Sequence, residues 1–176
     1  MKKFKFLLAS AFIATLAFYS CETLDLDGTQ DPNAIPPGVS DVNFKLNAIQ
    51  VNFASFFYEL SDDSRGCVRM INQFGSYGSA ADPLNTQTQW REAYANVLKE
   101  IKNFKEEENQ NLVPYHFAIA KILESYTYVS LVDFFGDVPY SQALLGAANL
   151  EPKVDSGAEI YDAMLVNLDE AIALLN

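Results

Sequence analysis

From residue 41 onward, apolar side chains recur at three- and four-residue steps in four blocks, the pattern of helices that each bury one face. In the first block Val42, Leu46, Ile49, Phe53, Phe56 and Leu60 share a stripe, with Ser40 or Asp41 placed to cap. The second runs from about Thr88 to Glu108 and aligns Trp90, Tyr94, Val97, Leu98, Ile101 and Phe104, with Lys99, Lys102 and Lys105 set among Glu100, Glu106 and Glu107 on the wet side. The third opens at Pro114, whose fixed φ and missing N–H suit a first helical turn. It is expected to turn Tyr115, Ile119, Ile122, Leu123, Tyr126 and Val129 inward and to end near Phe135, with Gly136 in the left-handed cap conformation and Pro139 preventing resumption. The fourth begins with Ser156-x-x-Glu159, a capping box, and carries Ile160, Met164, Leu168, Ile172 and Leu175 on one stripe.

Only five residues, Asn109 to Val113, join the second and third blocks, which favours an antiparallel helical hairpin of the kind found in helical-repeat proteins. No stretch of period-two alternation is long enough for a sheet, so the class is all-α. The segment Ser61 to Gln87 is different: 27 residues with Gly66, Gly75, Gly78 and Pro83, no period, and a presumption of function that attaches to irregular loops of such length. Asp62 and Asp63 read as a solvated turn at its start. Gly75-Ser76-Tyr77-Gly78 lacks the strand and the Lys-Ser/Thr ending of a phosphate-binding loop. The last stripe has no following helix to pack on and no polar capping element follows it, so residues 41–176 are expected to be the N-terminal part of a larger helical array.

Upstream, Lys2, Lys3 and Lys5 precede a 14-residue apolar run, Phe6 to Tyr19, too short to span a bilayer and suited to a signal peptide over residues 1–20. It closes at Ser20-Cys21, a small residue before a cysteine, which looks like a lipoprotein processing site with Cys21 as the lipidated residue. Acyl chains then do the anchoring, each buried methylene contributing about 0.8 kcal/mol. Residues 21–40, rich in Asp, Pro and Gly, read as an acidic tether. With Cys21 lipidated, Cys67 has no partner for an intrachain disulfide and serves as a small apolar filler.

Charge narrows the function. Without residues 1–20, which hold three lysines and no acidic residue, nine basic side chains face 23 acidic ones, a net charge of -14. Such a surface does not hold nucleic acid, nor an anionic headgroup layer by electrostatics. One histidine and two cysteines leave no common zinc or His-based catalytic arrangement, so no metal, cofactor or nucleophilic scheme is expected. His116, on the first turn of the third helix, reads as a packing residue. Asp133 and Asp137 are the spacing that invites a carboxylate-pair hydrolase, but both stand at a helix end and turn where Asp commonly bonds local backbone.

The run Leu131-Val132-Asp133-Phe134-Phe135-Gly136-Asp137-Val138-Pro139-Tyr140-Ser141-Gln142-Ala143-Leu144 resembles the signature of the SusD/RagB family, a helix leading into a Gly-Asp-hydrophobic-Pro-Tyr turn and an Ala-Leu pair. Glu159-Ile160-Tyr161 and Leu168-Asp169-Glu170-Ala171-Ile172-Ala173-Leu174-Leu175 resemble the family's next helix, and Trp90-x-x-x-Tyr94 fits the helix before the signature. Order and spacing agree from Cys21 to the end of the chain. The resemblance implies an outer-membrane lipoprotein that is a binding subunit and not an enzyme, built on tetratricopeptide-like helix pairs, capping a SusC-like TonB-dependent transporter and capturing glycans or peptides. Glu22, Asp25 and Asp27 resemble the acidic export tag that sends such lipoproteins to the cell surface.

Sugars stack on aromatic faces while their hydroxyls take polar side chains. The ligand candidates are therefore Phe74, Tyr77, Asp82 and Asn85 in the long loop, Arg65 and Arg69 beside it, and Trp90, which also begins a regular apolar stripe. Two other functions fit the same sequence: a helical-repeat envelope scaffold binding only proteins, and a lipid-anchored carboxylate hydrolase using Asp133 and Asp137.

Overall fold

The computed structural model describes residues 41–72 and 86–176; the signal segment, the tether and the centre of the long loop lie outside the described residues. Helix α1 is Val42–Cys67, capped by the Asp41 carboxylate, which accepts from the Asn43 N–H at 2.7 Å. Helix α2 covers residues 87–107 in three pieces, Gln87–Arg91, the π-helical Glu92–Leu98, and Lys99–Glu107. Helix α3 is Pro114–Phe135 and α4 is Gly157–Leu175, the latter with both bonds of the Ser156–Glu159 capping box. Among the described residues there is no strand, only an isolated antiparallel bridge between Val138 and Asp155.

Side-chain pairings fix the helix directions. Lys45 meets Glu107 and Glu108 at 2.8 and 2.6 Å while the Gln89 amide reaches the Glu59 carbonyl, so α1 and α2 are antiparallel. Phe104 packs on Phe117, and Tyr94 on Tyr128, which sets α2 against α3. Lys121 bonds Glu170, and Tyr161 bonds Asp133, which sets α3 against α4. The five-residue link thus makes the expected hairpin. The core runs through all four helices, from Ile49 and Phe56 through Val97, Leu98, Ile101 and Phe104 to Phe117, Leu131, Ile160 and Met164. His116 packs at the surface of α3 and bonds the Asn43 side chain at 3.0 Å, tying α3 to α1.

Three expectations need correction. Helix α1 does not stop near Leu60: Asp62 lies in its last turns, paired with Arg65 rather than in a solvated turn. The helix closes where the Met70 N–H bonds the Arg65 carbonyl and the Arg69 N–H bonds that of Gly66, with Arg69 at φ 58. This is a Schellman ending built on arginine instead of glycine, so no sequence signal marked it. The side chains of Asp63 and Cys67 lie outside the described residues.

The inward face assigned to α3 is also different. Tyr115, Ile122 and Tyr126 are exposed, whereas Phe117, Ala118, Ala120, Lys121, Ser125, Thr127, Tyr128 and Leu131 are buried. The helix is apolar on most sides and is packed by α1 and α2 as well as by α4, so no single stripe identifies the core. Small residues, Ser125 and Thr127, are buried with their hydroxyls bonded back to the carbonyls of Lys121 and Leu123. Asn167 of α4 donates to the Lys121 carbonyl, Glu124 and Ser125 at that interface.

In α4, Ile160 and Met164 are buried as expected, but Ala171 replaces Ile172, and Ile172 and Leu175 are exposed. A constant four-residue step drifts by about 40° each time on a helix of 3.6 residues per turn. The face that stays on the core after Met164 therefore passes to Ala171 and Leu174.

Candidate ligand-binding site

The turn after α3 is where the helices present their chemistry. Gly136 has φ 82 and ψ -127, outside the left-handed helical well expected for it and in backbone space open to glycine. Beyond it, Asp137 accepts from the Gly157 N–H at 2.9 Å, and Val138 exchanges backbone bonds with Asp155 at 3.3 and 3.0 Å. Tyr94 of α2 donates its hydroxyl to the Pro139 carbonyl at 2.7 Å. The buried Asp155 carboxylate then gathers the next residues. Its Oδ2 accepts from the Tyr140 and Ser141 N–H groups at 2.9 and 2.7 Å, and its Oδ1 from Ser141 Oγ and Lys153 Nζ, both at 2.8 Å. Finally Lys102 Nζ donates to the Leu144 carbonyl at 2.5 Å, with Leu144 itself at φ 61.

Electrostatics agree with this geometry. Burial opposes the charge on Asp155, but the bonds from Lys153, Ser141 and Tyr140 outweigh it and hold the carboxyl well below the usual carboxylate range. Burial, reinforced by the Asp155 charge, pushes the Tyr94 phenol up, so it remains a donor at any physiological pH. Asp155 was not among the sequence candidates. Its role comes from its bridge to Val138, 17 positions upstream, which no local pattern reveals.

Aromatic rings run from this turn along α2 and α3. Tyr140 meets Tyr128 at 4.9 Å, Tyr128 meets Tyr94 at 6.4 Å, Tyr94 meets Trp90 at 4.7 Å, and Trp90 meets Phe135 edge-on at 5.3 Å. Trp90 was read from its stripe as facing the core, but Gln89 and Ala93 take the innermost positions and Trp90 is 38% exposed. The π-helical stretch starting at Glu92 carries an extra residue per turn and offsets the two halves of the α2 face by about one position. Trp90 consequently stands on the shoulder of the helix and, with Thr86, Gln87, Arg91 and Phe135, lines an open recess of about 380 Å³.

Of the residues singled out in sequence, Trp90 alone lines this recess among those described. Arg65 pairs with Asp62, and Arg69 forms the turn that closes α1; neither lines it. Phe74, Tyr77, Asp82 and Asn85, like Cys21, lie outside the described residues. Phe135, Gln87 and Arg91 were missed, although Phe135 is in the signature run and Arg91 adjoins Trp90. Asp133 accepts from the Tyr161 hydroxyl at 2.5 Å, and Asp137 holds the first N–H of α4, so both carboxylates fasten α3 to α4. Among the described residues no group of three His, Cys, Asp or Glu side chains is placed to hold a metal ion, and no helix is long and apolar enough to cross a membrane.

A rigid aromatic surface flanked by an amide, a guanidinium and a hydroxyl offers a stacking face for the C–H groups of a sugar and partners for its hydroxyls. Comparison with known proteins bears on this directly. The model of a family described as starch-binding and associating with the outer membrane, SusD-like, matches residues 46–176. A search of curated proteins finds no match.

Proposed function

The chain belongs to the SusD-like family of starch-binding proteins that associate with the outer membrane, and from that premise we propose that it captures a nutrient glycan at the cell surface and delivers it to a SusC-like TonB-dependent transporter. Lipidation at Cys21 and the acidic tether that follows hold the helical body at the membrane. The observation that carries the glycan reading is the recess of Trp90 and Phe135, with Gln87, Arg91 and Thr86 around it. A peptide ligand uses the same donors less well, because an open aromatic face contributes little to a backbone that needs paired hydrogen bonds.

The chain binds without cutting. Asp133 and Asp137, the one carboxylate pair with a hydrolytic reading, are engaged by Tyr161 and the Gly157 N–H. Extraction of outer membranes in mild detergent tests the whole arrangement. The chain should co-elute with a large β-barrel protein, and Cys21→Ser should move it to the soluble fraction. Retention of Cys21→Ser in the membrane refutes the lipid anchor, and elution of the wild-type chain without a barrel refutes the transporter partnership.

A further inference from the structure

A second concavity, sharing no lining residue with the Trp90 recess, lies where α2, α3 and the clamped turn meet. It measures about 380 Å³ and is lined by Lys102, Lys105, Glu106, Glu124, Tyr128 and Tyr140, with Leu98, Ser141, Ala143 and Leu144 completing the wall. That volume lies within the range of small-ligand sites. We propose that this cleft is a second saccharide site, taking a short neutral glucan segment independently of the Trp90 recess. The ligand class, though not the existence of the site, rests on the glycan-binding reading above.

Three observations carry the assignment. First, the Tyr128 ring is buried while its hydroxyl lines the cleft and bonds no protein group among the described residues, and the Tyr140 hydroxyl beside it bonds none either. Tyr128 Oη is not a buried atom left without a partner but opens onto the cleft, where it meets water or ligand. Burial raises the Tyr128 phenol far above its usual value, followed by smaller contributions from Tyr94, Glu124, Tyr140 and Asp155, so the proton stays on and the group is a permanent donor. A ligand hydroxyl in the cleft supplies the acceptor.

Second, the charges balance. Lys105 holds both oxygens of Glu124 at 3.0 and 2.9 Å, and Lys102 stands 3.7 Å from Glu106. Two ammonium groups beside two carboxylates give no net attraction for an anion or a cation. They do place donors beside acceptors for the hydroxyls of a sugar, while the half-buried Tyr140, packed at 86° on the buried Tyr128, offers ring surface to its C–H groups.

Third, the wall is preorganised. Asp155 fixes the backbone of Tyr140 and Ser141, Tyr94 fixes Pro139, and Lys102 fixes Leu144, so the side carrying Tyr140 does not have to be ordered when ligand arrives.

Calorimetric titration of the full chain with maltotriose, in the wild type, Trp90→Ala and Tyr128→Phe, tests the assignment. The wild type should bind two equivalents. Tyr128→Phe should weaken one event at least tenfold and leave the other intact, while its ligand-free melting temperature stays close to that of the wild type, because the hydroxyl bonds no protein group among the described residues and opens onto the cleft. Trp90→Ala should weaken only the other event. If Trp90→Ala binds as the wild type does while Tyr128→Phe loses an event, the recess reading falls and the cleft stands. A single equivalent abolished by Trp90→Ala and unmoved by Tyr128→Phe overturns the cleft alone, absence of heat in all three overturns both, and a marked drop in the ligand-free melting temperature of Tyr128→Phe shows a structural partner for the hydroxyl and overturns the cleft.

Discussion

Replacing Asp155 probes the joint that holds the turn, the α3–α4 pair and the two aromatic sites in register. Its carboxylate accepts two backbone N–H bonds at 2.9 and 2.7 Å and a hydroxyl bond at 2.8 Å. Bonds to a charged acceptor contribute roughly 1.5–3 kcal/mol each when considered alone, and less when they share one group. The Lys153 ion pair adds little, since the lysine side chain is 58% exposed and screened by solvent. Asp155→Ala leaves the Tyr140 and Ser141 N–H groups to find water in a half-closed turn, and the expected loss is about 3 kcal/mol. Asp155→Asn keeps the shape and one acceptor oxygen but turns an amide donor toward donors, for a loss of about 2 kcal/mol. Urea unfolding followed by far-ultraviolet circular dichroism measures both. The pH dependence supplies a second check. The folded carboxyl sits below its unfolded value of about 4, so its contribution is complete above that pH and is lost as the pH falls toward the depressed folded value. The gap between wild type and Asp155→Asn should therefore be widest near neutrality and narrow in acid below about pH 4. A loss under about 1 kcal/mol for Asp155→Ala, or a gap that widens in acid, refutes the clamp.

Two glycines give predictions of different origin. A Cβ at Gly136 would meet nothing within 4 Å, so Gly136→Ala should lose about 1–3 kcal/mol through backbone strain alone at φ 82, and a loss below 0.5 kcal/mol in the same urea titration contradicts that backbone. At Gly157, the first residue of α4, alanine is the better helix former, yet its Cβ would stand 2.7 Å from Val132 Cγ1. Gly157→Ala should destabilise by about 1–3 kcal/mol and be partly rescued by Val132→Ala, and a stabilising Gly157→Ala would show that α3 and α4 do not approach as described.

Much of the framework was legible in sequence for reasons that are local. Pro114 opens α3, Ser156 and Glu159 cap α4, and five residues between α2 and α3 leave little choice but a hairpin. The errors arise where tertiary contacts override local signals. Arg69 takes a conformation that glycine usually supplies, so α1 outran its apparent end. Helix α3 is packed from more than one side, and its large apolar residues Ile122 and Tyr126 yield burial to Ser125 and Thr127, with Ser125 lying where Asn167 of α4 bonds it. The π-helical turns of α2 have no composition signature, and they moved Trp90 from the core to the rim. For the site, Trp90 was found because aromatic residues near a long loop are chemically conspicuous. Phe135 and Asp155 required the fold, since their partners lie 45 and 17 positions away.

We propose above all that the recess lined by Trp90 holds a glycan without cleaving it. The chain contains one tryptophan, so fluorescence excited at the red edge of the indole band, where its nine tyrosines do not absorb, reports that recess. Titration with maltoheptaose, with reducing ends assayed in the same samples, should give a saturable change in intensity or wavelength and no increase in reducing ends. Fluorescence that stays flat at saturating glucan, or glucan that shortens during the titration, would contradict the account.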